Sequence, residues 1–134
     1  MKDSIPVLSK HHNTLTKLHL YNEHSDLSLS FIASFINLQE LVISSFYSIY
    51  NELQHMIFPN LQVFRIVYLS EYDVDFSDSE NFIKFLKNNG KNLTDLCINH
   101  YIDKSLNLSI MHYCLNLKNL VIVMVDIILM KKNC

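Results

Sequence analysis

A six-residue phrase with apolar side chains at its first, fourth and sixth positions recurs five times along this chain. The five copies occupy residues 15–20, 38–43, 61–66, 93–98 and 117–122. Their first residues are leucines separated by 23, 23, 32 and 24 positions. Such a recurrence indicates stacked copies of one structural unit, because a unit of this length cannot bury its apolar face alone.

Each repeat combines the period of a strand with that of a helix. Within the second phrase, Leu41 and Ile43 alternate with polar or mixed residues, which is the pattern of a short β-strand. Between phrases the apolar spacing becomes helical, as at Ile49, Leu53 and Met56. The pattern L-x-x-L-x-L at a period of 20–29 residues is typical of leucine-rich repeats.

We therefore predict an α/β fold, a right-handed leucine-rich-repeat solenoid. It would have about five short parallel strands, with helices on the convex side. The array is expected to span residues 13–125, with residues 1–12 as a lead-in and residues 126–134 as a tail. The fourth apolar position of each phrase should form one buried column, which comprises Leu18, Leu41, Phe64, Leu96 and Leu120.

Residues typical of turns and of helix caps recur within the repeats. An asparagine stands directly before the first leucine of four phrases, at positions 37, 60, 92 and 116. Because asparagine tolerates left-handed backbone and can bond its own backbone, we predict that these residues shape turns and bind no ligand. Gly90 is predicted to end a helix as a left-handed cap. The candidate N-terminal caps are Asp26, Ser48, Asp78 or Ser79, and Asp103 or Ser105.

Composition excludes several classes of function. A single glycine rules against phosphate-cradling loops, which need several. A net charge of −2 gives no electrostatic footprint for nucleic acid or an anionic membrane. The three cysteines are an odd number and widely spaced, as expected of reduced thiols. We predict a cytoplasmic or nuclear protein with no cofactor, no nucleic-acid partner and no membrane partner.

Metal and catalytic sites find little support in the sequence. Cys97, His100, His112 and Cys114 resemble a zinc quartet, but His112 and Cys114 are too close together for the common forms. Asp73, Asp75 and Ser77 of the acidic segment 70–80 imitate the opening of a calcium loop. The sixth position of that loop is Asp78 rather than glycine, and the twelfth is Lys84 rather than glutamate. No G-x-S-x-G motif is present. We therefore predict no bound metal and no enzymatic activity.

Alternation along the strands identifies one face of the sheet as the candidate binding surface. Concave surfaces are where solenoids usually bind, and Tyr21 and Arg65 are of the types that most often anchor protein interfaces. The alternative is that these side chains are merely solvated. The predicted partner-binding residues are Lys17, His19, Tyr21, Glu40, Val42, Arg65, Asp95 and Asn99.

Several segments resemble the repeat region of fungal F-box-like proteins. These are N-L-Q-E-L at 37–41, F-P-N-L-Q at 58–62 and F-I-K-F-L-K-N-N-G-K-N-L at 82–93. C-L-N-L-K at 114–118 is similar to the C-P-N-L-K that opens their repeats. The resemblance covers about residues 13–122. It implies a leucine-rich substrate-recognition array of a ubiquitin-ligase receptor, joined to an N-terminal F-box that binds a Skp-type adaptor.

The F-box itself is missing from the chain. The residues before the first repeat are too few for it, so we expect a Skp-type adaptor to bind only if an F-box lies upstream. The last phrase is apolar on both sides, unlike a terminal repeat, which suggests a piece of a longer receptor or a truncated product. The predicted function is a non-catalytic protein-binding scaffold of this kind. The alternative is a stand-alone interaction or structural module, or a fragment, without any link to ubiquitin.

Overall fold

The computed structural model describes residues 8–22, 28–68, 76–98 and 103–122. Five strands form one open parallel sheet in the order β1-β2-β3-β4-β5, so the chain advances by one strand with each phrase. The fold is therefore α/β. The strands are β1 Lys17–Asn22, β2 Glu40–Ser45, β3 Val63–Tyr68, β4 Asp95–Ile98 and β5 Asn119–Ile122.

Helical connectors join successive strands. The longest helix in the described part of the chain, α2 (Phe76–Asn89), lies in the longest connector. The described part of the first connector holds a 3₁₀ helix, and α1 (Tyr50–Leu53) in the second is a single turn. The described helical segments of the connectors therefore differ in length. The helical segments are a 3₁₀ helix Ser30–Ser34, α1 Tyr50–Leu53, α2 Phe76–Asn89, a 3₁₀ helix Gly90–Asn92 and α3 Lys104–Tyr113.

Asp103 and Ser48, both predicted to cap helices, have different roles in the structure. Asp103 caps α3, because its side chain accepts a hydrogen bond from the backbone N–H of Leu106 at 2.7 Å. Ser48 does not cap α1, whose N-cap is Ile49. Its hydroxyl instead donates to Asp78 Oδ1 at 2.7 Å and so ties α1's connector to the first turn of α2. The predicted cap Asp26 lies outside the described residues.

The predicted column is present in the strand register. Leu18, Leu41, Phe64, Leu96 and Leu120 are direct neighbours across the five strands. The first four are buried, but Leu120 is 44% exposed. The prediction that all five are buried is therefore wrong at the last position, because β5 is the edge strand among the described residues and no described strand covers its outer side.

The core lies between one face of the sheet and the helical connectors. An aromatic cluster fills its centre, where Phe64 of β3 meets Phe82 and Phe85 of α2 at ring-centroid distances of 6.0 and 4.6 Å. Tyr50 of α1 packs on Phe82 at 5.0 Å. All four side chains are fully buried. Because aromatic side chains bury large areas, this cluster is expected to dominate the attachment of the helices to the sheet.

The asparagines before the leucines connect one repeat to the next. In three repeats the side-chain amide donates to a backbone carbonyl that stands two residues before the first leucine of the preceding repeat. The bonds join Asn37 to Asn13, Asn92 to Pro59 and Asn116 to Lys91. No described residue has a positive φ, so these asparagines stand in their turns without left-handed backbone. Because the neighbouring repeat supplies an acceptor, the side chain need not bond its own turn.

Gly90 has a steric role. It is not left-handed and starts the 3₁₀ helix that follows α2, so the predicted left-handed cap is wrong. A Cβ atom at this position would stand 2.9 Å from the carbonyl oxygen of Tyr113 and 3.0 Å from Cys114 Sγ. Glycine is needed here because the end of α3 approaches the backbone too closely for any side chain.

None of the helices within the described ranges is both long enough and apolar enough to cross a membrane.

Candidate functional site

One face of the sheet is turned away from the core cluster, and we call it the open face. Its side chains are those that alternate with the buried columns, and all are exposed or half-buried. Strand register places them in rows that run across the repeats. The open face comprises Lys17, His19, Tyr21, Glu40, Val42, Ser44, Val63, Arg65, Val67, Asp95, Cys97, Asn119 and Val121.

Seven of the eight predicted binding residues lie on the open face. Lys17 and Glu40 are direct neighbours in one row, and His19, Val42 and Arg65 follow one another in the next. Tyr21 and Asp95 lie in the outer rows on β1 and β4. The eighth residue, Asn99, lies outside the described residues. The strand period thus brings separate repeats together on a single surface.

His19 and Glu40 form a side-chain hydrogen bond across two strands. Nε2 of His19 lies 2.7 Å from Oε2 of Glu40, and the histidine side chain is 62% exposed. The hydrogen bond from His19 lowers the pKa of Glu40 below its ordinary value of 4.5, with smaller contributions from the charges of His19, Lys17 and Arg65. Desolvation opposes this shift but does not cancel it. Glu40 is therefore ionised at neutral pH.

Asp95 also has a partner on the open face. The side-chain amide of Asn119 donates to Asp95 Oδ1 at 2.9 Å. The two carboxylates of the open face, those of Glu40 and Asp95, thus accept bonds from within the protein. These bonds were not predicted. Asp95 and Asn119 share the third position of their phrases, so aligning the repeats could have revealed their pairing, whereas His19 and Glu40 occupy different positions.

Lys17 and Arg65 are the two permanent cations of the open face. His19–Glu40 is the sole contact within 4 Å between a basic and an acidic side chain among residues 8–22, 28–68, 76–98 and 103–122, so neither Lys17 nor Arg65 has a carboxylate within that distance there. Both side chains are exposed. The open face therefore offers two exposed cations that form no ion pair within these ranges, although the charges of both contribute to lowering the pKa of Glu40.

Arg65 stands at the centre of a group of small apolar side chains. Val42 and Cys97 flank it on the neighbouring strands, and Val63 and Val67 flank it along β3. We call these four residues the apolar floor. Each is half-buried, whereas Arg65 is exposed. A charged group surrounded by apolar side chains resembles the centre of a protein interface, where arginine is enriched and other charges are depleted.

Tyr21 lies at one margin of the open face. It is 52% exposed, and its ring makes an edge-on contact with Phe46 at a centroid distance of 6.0 Å. Phe46 follows β2 directly, so the contact supports Tyr21 from the neighbouring repeat. An exposed aromatic ring that is held by a second ring has less conformational freedom to lose on binding.

Cys97 and Cys114, two members of the candidate zinc quartet, lie on opposite sides of the sheet. Cys97 lies on the open face, whereas Cys114 is buried next to Gly90 on the helical side. Burial raises the pKa of Cys114 to about 11, so the thiol is protonated at neutral pH. His100, the fourth member of the candidate quartet, lies outside the described residues. In the described part of the chain, no three histidine, cysteine, aspartate or glutamate side chains are placed to hold a metal ion.

His19 is an exposed residue that is hydrogen-bonded to Glu40. Its only hydrogen bond within the described ranges is the one to Glu40, and no described serine, threonine or cysteine bonds to it. A nucleophile activated by a histidine needs to lie within hydrogen-bond reach of the ring. Within these ranges the pair can therefore orient side chains and supply charge on the open face.

Comparisons with known proteins returned nothing: no protein-family model, no curated protein and no solved structure matches the chain.

Proposed function

We propose that this protein is a non-catalytic scaffold that binds another protein on the open face. The observation that carries the proposal is the arrangement of that face, where an exposed arginine stands among half-buried valines and an exposed tyrosine from a separate repeat lies at the margin. A protein interface has the same anatomy, with an apolar centre, aromatic and arginine anchors, and a polar rim.

The scaffold is proposed to be a right-handed leucine-rich-repeat solenoid. Support comes from the backbone bonds between repeats, which recur at one phrase position. The carbonyls of Thr16, Gln39, Gln62 and Thr94, each directly after a first leucine, accept two N–H groups from the next repeat at 2.7–3.1 Å. Right-handed crossovers are expected because about 98% of parallel connections have this hand.

The proposed relation to ubiquitin-ligase receptors rests on the sequence resemblance. In that role the open face would present a protein substrate, and a Skp-type adaptor would bind through an F-box on the same polypeptide. A stand-alone interaction module with the same open face is the alternative. Co-purification of a Skp-type adaptor with the product of the complete gene would support the receptor role.

A pull-down with three baits tests the binding proposal. The baits are the wild-type chain, a Tyr21→Ala/Arg65→Ala variant, and a control variant, Ile57→Ala/Lys87→Ala. The control also removes one exposed apolar side chain and one exposed cation, but neither lies on the open face. We expect the wild type and the control to recover the same partners and the open-face variant to lose them. Loss in the control alone would show that binding occurs elsewhere.

A further inference from the structure

The acidic and basic side chains of the open face differ in whether they already have a bonding partner within the protein. Glu40 is bonded to His19, and Asp95 is bonded to Asn119. Lys17 and Arg65 have no carboxylate within ion-pair distance in the described part of the chain. A partner therefore meets two available cations and two carboxylates that are already hydrogen-bonded, although the chain as a whole has a net charge of −2.

Arg65 is the better placed of the two cations. Its row and strand neighbours are the four residues of the apolar floor, and no acid is a direct neighbour in register. A partner that covers the floor would exclude water around the guanidinium and strengthen any charge-assisted bond to it. A carboxylate matches the planar guanidinium by accepting two parallel N–H bonds, which gives geometric specificity as well as energy.

We propose that the open face recognises an acidic protein segment, in which an aspartate or glutamate carboxylate pairs with Arg65 while flanking apolar side chains cover the apolar floor. The inference rests on the proposed protein-binding function and specifies its partner. Lys17 lies in the neighbouring row on β1 and supplies a second positive charge for an acidic segment that extends across the strands. Glu40 and Asp95, on the row beside Arg65, each already accept a hydrogen bond within the protein, so part of their hydrogen-bonding capacity is not available to compete with the segment for Arg65.

Selection from random dodecapeptides displayed on phage, with the full 134-residue chain as the target, provides the probe. We expect the enriched peptides to share an acidic residue flanked by apolar ones. One enriched peptide is then synthesised with its acidic residue intact and with that residue replaced by the matching amide. Affinities are measured by calorimetry for the wild type, Arg65→Gln and the control Lys87→Gln, which removes an exposed cation from α2.

The expected result is a double-mutant cycle with strong coupling. Arg65→Gln, or the amide change in the peptide, should each weaken binding by about 10- to 100-fold, and the two together should weaken it little further. Lys87→Gln should leave affinity unchanged. Circular dichroism of each variant checks folding, which is expected to persist because Arg65 is exposed.

The remaining outcomes separate the two proposals. If the peptides bind Arg65→Gln as tightly as the wild type but no longer bind Val42→Glu, the carboxylate inference is overturned while binding on the open face stands. If the peptides bind both variants as tightly as the wild type, or if no peptide is enriched above background, the open face is not a binding site and the inference is overturned with it.

Discussion

Single asparagines carry part of the contact between repeats. Asn92 donates to the carbonyl of Pro59 at 2.8 Å, and equivalent bonds are made by Asn37 and Asn116. Asn60 occupies the same phrase position but makes no such bond in the described part of the chain. The position of an asparagine in the repeat therefore does not by itself determine whether it forms a hydrogen bond to the preceding repeat.

This difference predicts unequal costs of alanine substitution. Asn92→Ala should lower the free energy of unfolding by about 1 kcal/mol, because it removes a hydrogen bond and leaves a carbonyl to find another partner. Asn60→Ala should change it by less than about 0.5 kcal/mol, as is usual for exposed positions. Urea unfolding of both variants checks the prediction. Equal costs at the two positions would contradict the proposed role of the inter-repeat bond.

The His19–Glu40 pair predicts a titration with a definite sign. Because the pKa of Glu40 is lowered in the folded state, its contribution to stability is present above pH 4.5 and is lost as the pH falls below that value. Carbon-13 NMR of the Glu40 carboxyl should give a midpoint below 4.5. His19→Ala should raise this midpoint, because the hydrogen bond from His19 is the largest cause of the lowered pKa. A midpoint indifferent to His19→Ala would refute the assigned cause.

At the scale of the strand, residues at the same phrase position in the apolar column differ in how deeply they are buried. Leu41 of β2 is fully buried between neighbouring strands, whereas Leu120 of β5 is 44% exposed. Their phrase positions are the same. The difference arises because β5 has a described neighbour on one side only.

Leucine-to-alanine substitutions along the column should therefore differ in cost. Leu41→Ala should destabilise the protein by about 2–5 kcal/mol, since it leaves a cavity in a packed core. Leu120→Ala should cost about 1 kcal/mol or less, because the side chain already contacts water. Thermal or urea unfolding measures both. Comparable losses would mean that Leu120 is covered in solution.

At the scale of the whole molecule, stability is expected to vary along the direction of the sheet. β2, β3 and β4 are each paired on both sides, and β3 packs on the aromatic cluster through Phe64. β5 has only four residues, and its side chains are exposed or half-buried. In a stacked array each unit is stabilised mainly by its direct neighbours, so the least covered unit opens most readily.

Hydrogen exchange should report this gradient. Amides of β3 are expected to exchange roughly tenfold or more slowly than those of β5, because they open only in larger unfolding events. Mass spectrometry of peptides covering the two strands provides the measurement. Uniform protection across the sheet would indicate a single cooperative unit and would contradict the gradient.

The sequence by itself determined the strands, their order, the aligned columns and seven positions of the open face. These features depend on two periods that are local to the chain, the alternation within a phrase and the spacing between phrases. Only the tertiary structure decided that Asn92 bonds to the preceding repeat, that Gly90 makes room for α3, that Leu120 is exposed and that His19 pairs with Glu40. Each of these depends on which atoms of separate repeats meet, and repeat spacing alone does not specify those distances.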